Sequence, residues 1–141
     1  MAPQLKVQLV ERHATTEADV TKVFASLKKG AVDGIVVISP KLITNFPGLI
    51  LRLSLERQIP LTTHRKALVE QGALFSYGPD YVAVGQDVAG YVDRIIRGAR
   101  PADLPVQQAA RLELVINLKT AKALGLTIPQ SVLGRADQVI E

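Results

Sequence analysis

Short polar and aromatic side chains, with one proline beside them, occur at several points of the sequence, each at the end of an apolar run. They are Ser39 and Pro40, Thr63 and His64, Ser76 and Tyr77, and Asp80. Hydroxyl, imidazole, phenol and carboxylate groups can hydrogen-bond to a small polar solute. No pair of acids suited to general acid–base catalysis is evident. These residue types predict a site that binds a small-molecule ligand and contains no catalytic residue.

Each of these side chains also has a purely structural interpretation. Ser39 and Pro40 could form an ordinary strand-to-helix turn, and His64 could be a solvated loop histidine. Tyr77 could be a core strand tyrosine whose hydroxyl reaches the edge of the sheet. Asp80 could pair with an amine of the ligand or could cap the helix that follows it. The sequence leaves both interpretations open.

The sequence lacks the motifs of common cofactor, metal and nucleophile sites. It has no glycine-rich phosphate-binding loop and no esterase nucleophile elbow. Cysteine is absent, which excludes disulfides and thiolate chemistry, and His13 and His64 lack the paired spacing of metal ligands. We therefore expect no cofactor, no metal ion and no enzymatic activity.

The charge of the chain is basic but dispersed. Its 141 residues carry a formal net charge of +4, with three Phe, three Tyr and no Trp. Because the basic residues form no dense run and stacking side chains are few, we expect no nucleic-acid partner. No apolar run approaches the roughly 20 residues of a membrane span, and the first residues do not resemble a signal peptide.

Hydrophobic periodicity and turn residues predict the elements that position these side chains. The predicted strands cover residues 5–11, 35–38, 59–63, 73–77 and 112–117, and the predicted helices cover residues 16–29, 45–58, 64–71, 81–97 and 119–124, followed by a turn or short helix and a tail at 131–141. The run from Ile35 to Ile38 predicts a central strand buried on both faces. Residues of the helix over 81–97 predict its buried face: Val84, Val88, Tyr91, Val92, Ile95 and Ile96.

This alternation of strands and helices indicates an α/β fold. We expect three layers, with an open, mainly parallel sheet, helices on both faces and right-handed crossovers. Ligands of such sheets bind beyond the carboxyl ends of the strands. The candidate residues are therefore predicted to meet at one edge of the sheet.

Four stretches of the sequence resemble a known family. They are Gly72–Asp80, Gly90–Val106, Leu112–Pro129 and Arg135–Ile140. Together they resemble the carboxyl-terminal half of the ABC transporter substrate-binding proteins of the tryptophan/tyrosine-type group. The resemblance extends from about Ala31 to the end of the chain.

The resemblance implies a type I periplasmic-binding fold, in which two α/β lobes close on a small ligand, often an amino acid. Residues 1–141 would form a single lobe, with 101–141 crossing toward a missing amino-terminal lobe. The resemblance places Ser76, Tyr77 and Asp80 near the hinge and the cleft, and the segment 63–65 toward the ligand. A single lobe would supply half of the contacts, so we expect weak or absent binding by this chain alone.

The resemblance also implies partners and a location. An ABC permease would receive the ligand, and the full-length protein would be periplasmic or anchored by a lipid outside the cytoplasm, with no signal peptide in this chain. Because an isolated lobe exposes the face that its partner would cover, a homodimer is a further hypothesis. The alternative function is that of a ligand-sensing regulatory domain in a transcription or signalling protein.

Overall fold

A computed structural model of the chain describes residues 6–27, 30–107 and 111–141. The helices in these ranges are α1 (Glu17–Ser26), α2 (Pro40–Asn45), α3 (Pro47–Glu56), α4 (Lys66–Glu70), α5 (Tyr81–Ile96), α6 (Leu118–Ala123) and α7 (Gln130–Leu133). The strands are β1 (Ile35–Val36), β2 (Leu61–Thr63), β3 (Phe75–Pro79), β4 (Leu112–Asn117) and β5 (Gln138–Ile140).

The strands form one sheet in which their spatial order follows the chain, from β1 at one edge to β5 at the other. β1, β2 and β3 run parallel to one another, and β4 and β5 run parallel to each other, whereas β3 and β4 pair antiparallel. Thr63 lies beside Ser76, and Ser76 lies beside Val115. The expected α/β class with a mainly parallel sheet is confirmed.

The hydrophobic core lies between this sheet and the helices. Its buried members come from α1, α2, α3, β2, α4 and β4 and the turn before β3. They are Val20, Phe24, Ile43, Ile50, Leu51, Leu53, Leu61, Leu68, Val69, Ala73 and Val115. The buried Asn117 ties two helices to the core, because its side-chain amide donates to the Val69 carbonyl (2.8 Å) and its oxygen accepts from the Thr120 amide (3.0 Å).

Helix α1 begins as its sequence predicts. Thr16 is the N-cap, and its hydroxyl accepts from the Asp19 amide (3.2 Å) while the Asp19 carboxylate accepts from the Thr16 amide (3.0 Å). This reciprocal pair is a capping box. Hydrogen bonds from the Thr15 amide, and then from Thr16, hold the pKa of Asp19 at about 2, below its ordinary 3.8.

The predicted first strand is not found in its described part, and the predicted second strand is present but is neither central nor buried on both faces. Residues 6–11 are exposed and form no strand, and the predicted central strand is the short edge strand β1. In the described part of the chain, β1 pairs with β2 alone, and Val36 and Ile38 are 66% and 82% exposed. An apolar run indicates a strand, but its neighbours in the sheet come from distant parts of the sequence, so the run cannot show which strand is central.

The predicted helix over 45–58 is two helices. Ser39 begins α2, Asn45 ends it, and Phe46 separates it from α3. Pro47 has no amide hydrogen for a continuing helix and disfavours helical backbone at the residue before it, so α2 stops there. Asn45 is therefore not the predicted N-cap. Strand β5 was also missed, because its three residues lie in the segment predicted as a turn and a tail.

Helix α5 departs most from its predicted environment. None of its residues is buried, and Val88, Val92 and Ile96 are 56%, 49% and 79% exposed. The chain leaves the sheet at Asp80, forms α5, and returns at Arg111, where the Asp80 amide donates to the Arg111 carbonyl (3.0 Å). The apolar stripe of α5 was thus recognised correctly, but the prediction that it is buried was wrong for this chain.

Candidate ligand-binding site

Three turns meet at the carboxyl edge of β1, β2 and β3. Because these strands are adjacent and parallel, the turns that contain Ser39, His64 and Asp80 lie along the same edge of the sheet. The antiparallel β4 brings its amino end to the same place, since Leu112 is paired with Pro79. The topology therefore gathers the candidate residues as predicted, although ligand contact by each of them stays a prediction.

The turn after β2 is folded tightly against its neighbours. Thr63 is buried, and its hydroxyl accepts a hydrogen bond from the Arg65 amide (3.3 Å). His64 is half-buried, and its carbonyl oxygen faces Gly78 on β3. β2 and β3 thus fix the backbone of this turn, and the side chains of His64 and Arg65 extend from that backbone.

Arg65 extends across the edge of the sheet. Its guanidinium Nη2 donates to the Thr44 hydroxyl at the end of α2 (3.4 Å). Its Cζ atom lies 6.0 Å from the centre of the Tyr81 ring at the start of α5, within the range of a cation–π interaction. Arg65 therefore connects the turns after β1, β2 and β3.

Ser39 has a structural role in the turn after β1. Its hydroxyl accepts from the Leu42 amide (3.4 Å) and its carbonyl from the Ile43 amide (3.2 Å), so it is the N-cap of α2. Pro40 occupies the first helical position, where its fixed φ is well suited. The strand-to-helix interpretation of this pair is confirmed. Ser39 remains half-buried and Pro40 exposed, which leaves both at the surface of the edge.

Asp80 also has a structural role. One carboxylate oxygen accepts from the Val82 amide (3.0 Å) and the Ala83 amide (3.1 Å), which caps α5. The other oxygen lies 3.7 Å from Nε of Arg111. The capping interpretation is therefore confirmed, and both oxygens already have partners within the chain.

Ser76 and Tyr77 point to opposite faces of β3, as successive strand residues must. Tyr77 is 59% exposed, so the alternative in which it is a core tyrosine is wrong. Ser76 is 1% exposed, beside the buried Thr63, and its hydroxyl has no hydrogen-bond partner among the described residues. In this conformation Tyr77 is accessible to a ligand and Ser76 is not.

The charges at this edge leave an excess of positive potential. Lys66 lies 3.9 Å from Glu113, and Arg111 is paired with Asp80. Within the described ranges, Arg65 has no carboxylate at ion-pair distance. Those ranges also contain no group of three acidic or histidine side chains that could hold a metal ion. The edge is suited to an anionic group of a ligand rather than to a cation.

A separate groove lies in the segment between Asp80 and Arg111, whose ends are joined by the hydrogen bond from the Asp80 amide to the Arg111 carbonyl. Its volume is about 420 Å³, and it lies between α5 and residues 101–107. Its lining is mainly apolar and includes Val88, Tyr91 and Leu104, and the Tyr91 hydroxyl donates to the Pro105 carbonyl. None of the candidate site residues lines it.

No helix in the described ranges combines the length and the apolar character that crossing a bilayer requires.

Sequence reasoning did not identify the arrangement around Arg65. Thr44 and Tyr81 were assigned no role at the site, and Arg65 was included only as part of the segment 63–65 that the resemblance places toward the ligand. Hydrogen-bonding and ring contacts between residues so far apart in sequence depend on the order of the strands. The one local signal was the position of Arg65 directly after the carboxyl end of a predicted strand.

An open, mainly parallel sheet with polar turns gathered at the carboxyl ends of its strands defines a class of ligand-binding α/β lobes. The family model described as "ABC transporter substrate binding protein" matches residues 1–140 of this sequence. The chain belongs to this family, which is a family of substrate-binding proteins and not a class of enzymes. The resemblance inferred from the sequence is thus confirmed.

Individual relatives are consistent with this assignment. A tyrosine-binding protein of Clostridioides difficile is 28% identical over 119 residues, covering 84% of this chain and 34% of the relative. A conserved domain protein of Vibrio cholerae has 33% identity and a TM-score of 0.81 over 98% of this chain and 46% of its own. An ABC domain of Streptococcus pneumonia in complex with L-Trp has 33% identity and a TM-score of 0.73, over 87% of this chain and 40% of that one. This chain spans less than half the length of these relatives.

Proposed function

We propose that this chain is one lobe of a solute-binding protein that takes up an aromatic amino acid for an ABC importer. The observation that carries the proposal is the likeness to a domain in complex with L-Trp, at 33% identity over 87% of this chain. The tyrosine-binding relative supports the same chemical class of ligand. Membership of a substrate-binding family supports a role in binding rather than in catalysis.

The geometry of the carboxyl edge suits such a ligand. Tyr77 offers an exposed aromatic surface, on which an aromatic side chain can stack. His64 and Arg65 lie in the neighbouring turn and offer donors to polar groups of the ligand. Asp80 fixes the start of α5 through its Oδ1 atom, which accepts two backbone hydrogen bonds, and contact of its carboxylate with a ligand amine stays a prediction.

Delivery requires further partners. We place a second lobe opposite the carboxyl edge, so that closure of the two lobes buries the ligand, and the closed form then docks on a permease. Proteins of this family act outside the cytoplasm, and we assign the full-length protein to the periplasm or to a lipid anchor on the outer side of the membrane. A single lobe provides a half-site, and the proposal is that it still binds the ligand, weakly, rather than not at all.

A thermal-shift titration with millimolar L-Trp, L-Tyr and a small aliphatic amino acid tests the proposal. Ligand that binds only the folded state raises the melting temperature with concentration. We expect a shift with the aromatic amino acids that is lost in Tyr77→Ala. Tyr91→Ala is the matched control, because Tyr91 lines the groove at α5 and not the edge of the sheet.

Two results would contradict the proposal. If no amino acid shifts the melting temperature of the folded chain or perturbs its NMR spectrum, the ligand class is wrong. If Tyr91→Ala abolishes the shift and Tyr77→Ala does not, the ligand lies in the groove at α5 and the assigned site is wrong.

A further inference from the structure

We infer that Arg65 binds the carboxylate group of the ligand, and that it is held in place for this purpose by Thr44 and Tyr81. The inference rests on the proposed function, because it assumes that the ligand of the carboxyl edge carries a carboxylate. It goes beyond that function by assigning one side chain to one chemical group. The evidence is the position, the support and the unpaired charge of the guanidinium.

The position of Arg65 is set by the fold. The residue follows β2, the middle one of the three parallel strands, and its amide donates to the buried Thr63 hydroxyl. The base of the side chain is therefore fixed at the centre of the edge where ligands of such sheets bind. From there the guanidinium reaches Thr44 on one side and Tyr81 on the other.

The two supporting contacts leave most of the guanidinium free. Thr44 accepts from a single nitrogen, Nη2, and Tyr81 interacts with the guanidinium through its ring. A guanidinium carries five N–H donors, and a carboxylate accepts two of them in parallel. A planar group held by a hydroxyl and a ring has lost part of its rotational freedom before a ligand arrives, which lowers the entropic cost of binding.

Several arginines of the described chain pair with a carboxylate, whereas Arg57 and Arg94, away from the carboxyl edge, have neutral partners as Arg65 does. Arg52 pairs with Glu56 (3.0 Å), Arg97 with Asp93 (2.9 Å) and Arg111 with Asp80 (3.7 Å). The partners of Arg65 in the described ranges are both neutral. No carboxylate of the described ranges lies within ion-pair distance of Arg65. Its positive charge at the edge of the sheet is therefore available to an anionic ligand.

The inference predicts which ligand groups matter. A ligand with a carboxylate and no amine, such as indole-3-propionate, retains the contact with Arg65. A ligand with an amine and no carboxylate, such as tryptamine, loses it and would bring a second positive charge to a basic edge. L-Trp, which has both groups, provides the reference.

Two-dimensional NMR of the full chain tests this, because it detects millimolar binding and reports on single side chains. The Arg65 Nε–Hε signal is identified as the one that disappears in Arg65→Gln. We expect it to shift with L-Trp and with indole-3-propionate but not with tryptamine. Arg65→Gln should weaken L-Trp binding by about tenfold to a hundredfold, the usual effect of losing a charged hydrogen-bond partner.

Two variants complete the experiment. Arg52→Gln removes an exposed arginine from the second half of α3 and should leave the affinity unchanged. Arg65→Lys keeps the charge but not the planar fork, and should fall between the wild type and Arg65→Gln. Equal binding of L-Trp and tryptamine, with no effect of Arg65→Gln, overturns the inference and leaves the proposed function intact. Absence of binding by all three compounds overturns both.

Discussion

The carbonyl oxygen of His64 occupies the space in which a side chain at Gly78 would begin. A Cβ atom built on Gly78 would lie 2.2 Å from that oxygen, far inside van der Waals contact. Glycine is therefore required at this point of β3 for a steric reason, because only a residue without Cβ lets the turn after β2 pack against the strand. The same close approach fixes the backbone from which His64 and Arg65 reach the carboxyl edge.

Gly78→Ala should displace the turn at His64. Overpacking of this kind costs about 1–3 kcal/mol, and the displaced turn should also weaken ligand binding. Urea denaturation measures the first effect and NMR titration the second. Gly85→Ala is the control, because a Cβ at Gly85 meets nothing within 4 Å and alanine is favoured in a helix by up to about 1 kcal/mol. An unperturbed Gly78→Ala would show that the turn can move freely.

Ser76→Ala should leave the free energy of unfolding unchanged or raise it by up to about 1 kcal/mol. The Ser76 hydroxyl is buried and has no partner among the described residues, so removing it costs no hydrogen bond there. Asn117→Ala is the comparison: it removes two buried hydrogen bonds and should cost about 2–3 kcal/mol.

The same variant tests Ser76 as a ligand contact. Affinity for L-Trp should not change in Ser76→Ala, because this hydroxyl is inaccessible in the present conformation. A loss of affinity with unchanged stability would mean that the ligand-bound form exposes Ser76, as its prediction from the sequence requires.

Asp19→Asn should reduce stability in a pH-dependent way. The pKa of Asp19 in the folded protein, about 2, lies below its ordinary 3.8, so the unfolded state binds the proton more readily between these values. The contribution of the carboxylate is therefore complete above about pH 4 and is lost as the pH falls toward 2. Urea denaturation of both proteins across this range should show a difference that is constant at higher pH and shrinks with acidification.

The exposed stripe on α5 should promote self-association. Val88, Val92 and Ile96 are each about half exposed or more, although residues 101–107 approach the helix beside Val88, and such exposed apolar surfaces mark interfaces. In sedimentation velocity, the sedimentation coefficient should rise with protein concentration, and it should return to the value of a monomer in Val92→Lys. Gln86→Lys adds the same charge at an exposed polar position of α5 and should have little effect. A monomer at every concentration would argue against the homodimer.

The class of fold and most elements were predictable because they depend on local signals. The cap at Thr16 and the glycines after α4 and α5 are properties of adjacent residues. The break at Pro47 is equally local, but it was missed because Pro47 was assigned to the first turn of a single helix. The place of β1 in the sheet and the environment of α5 were not predictable, because both depend on partners distant in sequence. An amphipathic pattern shows which side of a helix is apolar, but it does not show what covers that side.

The candidate site, too, was predictable from the sequence only in part. The carboxyl edge was predictable from the alternation of strands and helices, which implies parallel strands, and the cap at Asp80 was predictable from its position before a helix. The contact between Arg65 and Thr44 joins residues 21 positions apart, and no spacing rule relates them. Burial of Ser76 and exposure of Tyr77 follow from the face of β3 that each occupies, which the sequence pattern of β3 did not determine.

The hydrogen bond between Asp80 and Arg111 separates the segment that contains α5 from the sheet. Pro79 and Leu112 are paired residues of one antiparallel ladder, so β3 and β4 form a hairpin. Its long connecting loop contains α5 and the segment that returns to the sheet. Because no residue of α5 is buried, the hairpin does not depend on the contents of that loop. Insertions, deletions or new binding surfaces could therefore accumulate in this loop beyond Tyr81, whose ring contacts Arg65, while the sheet and its carboxyl edge keep their shape.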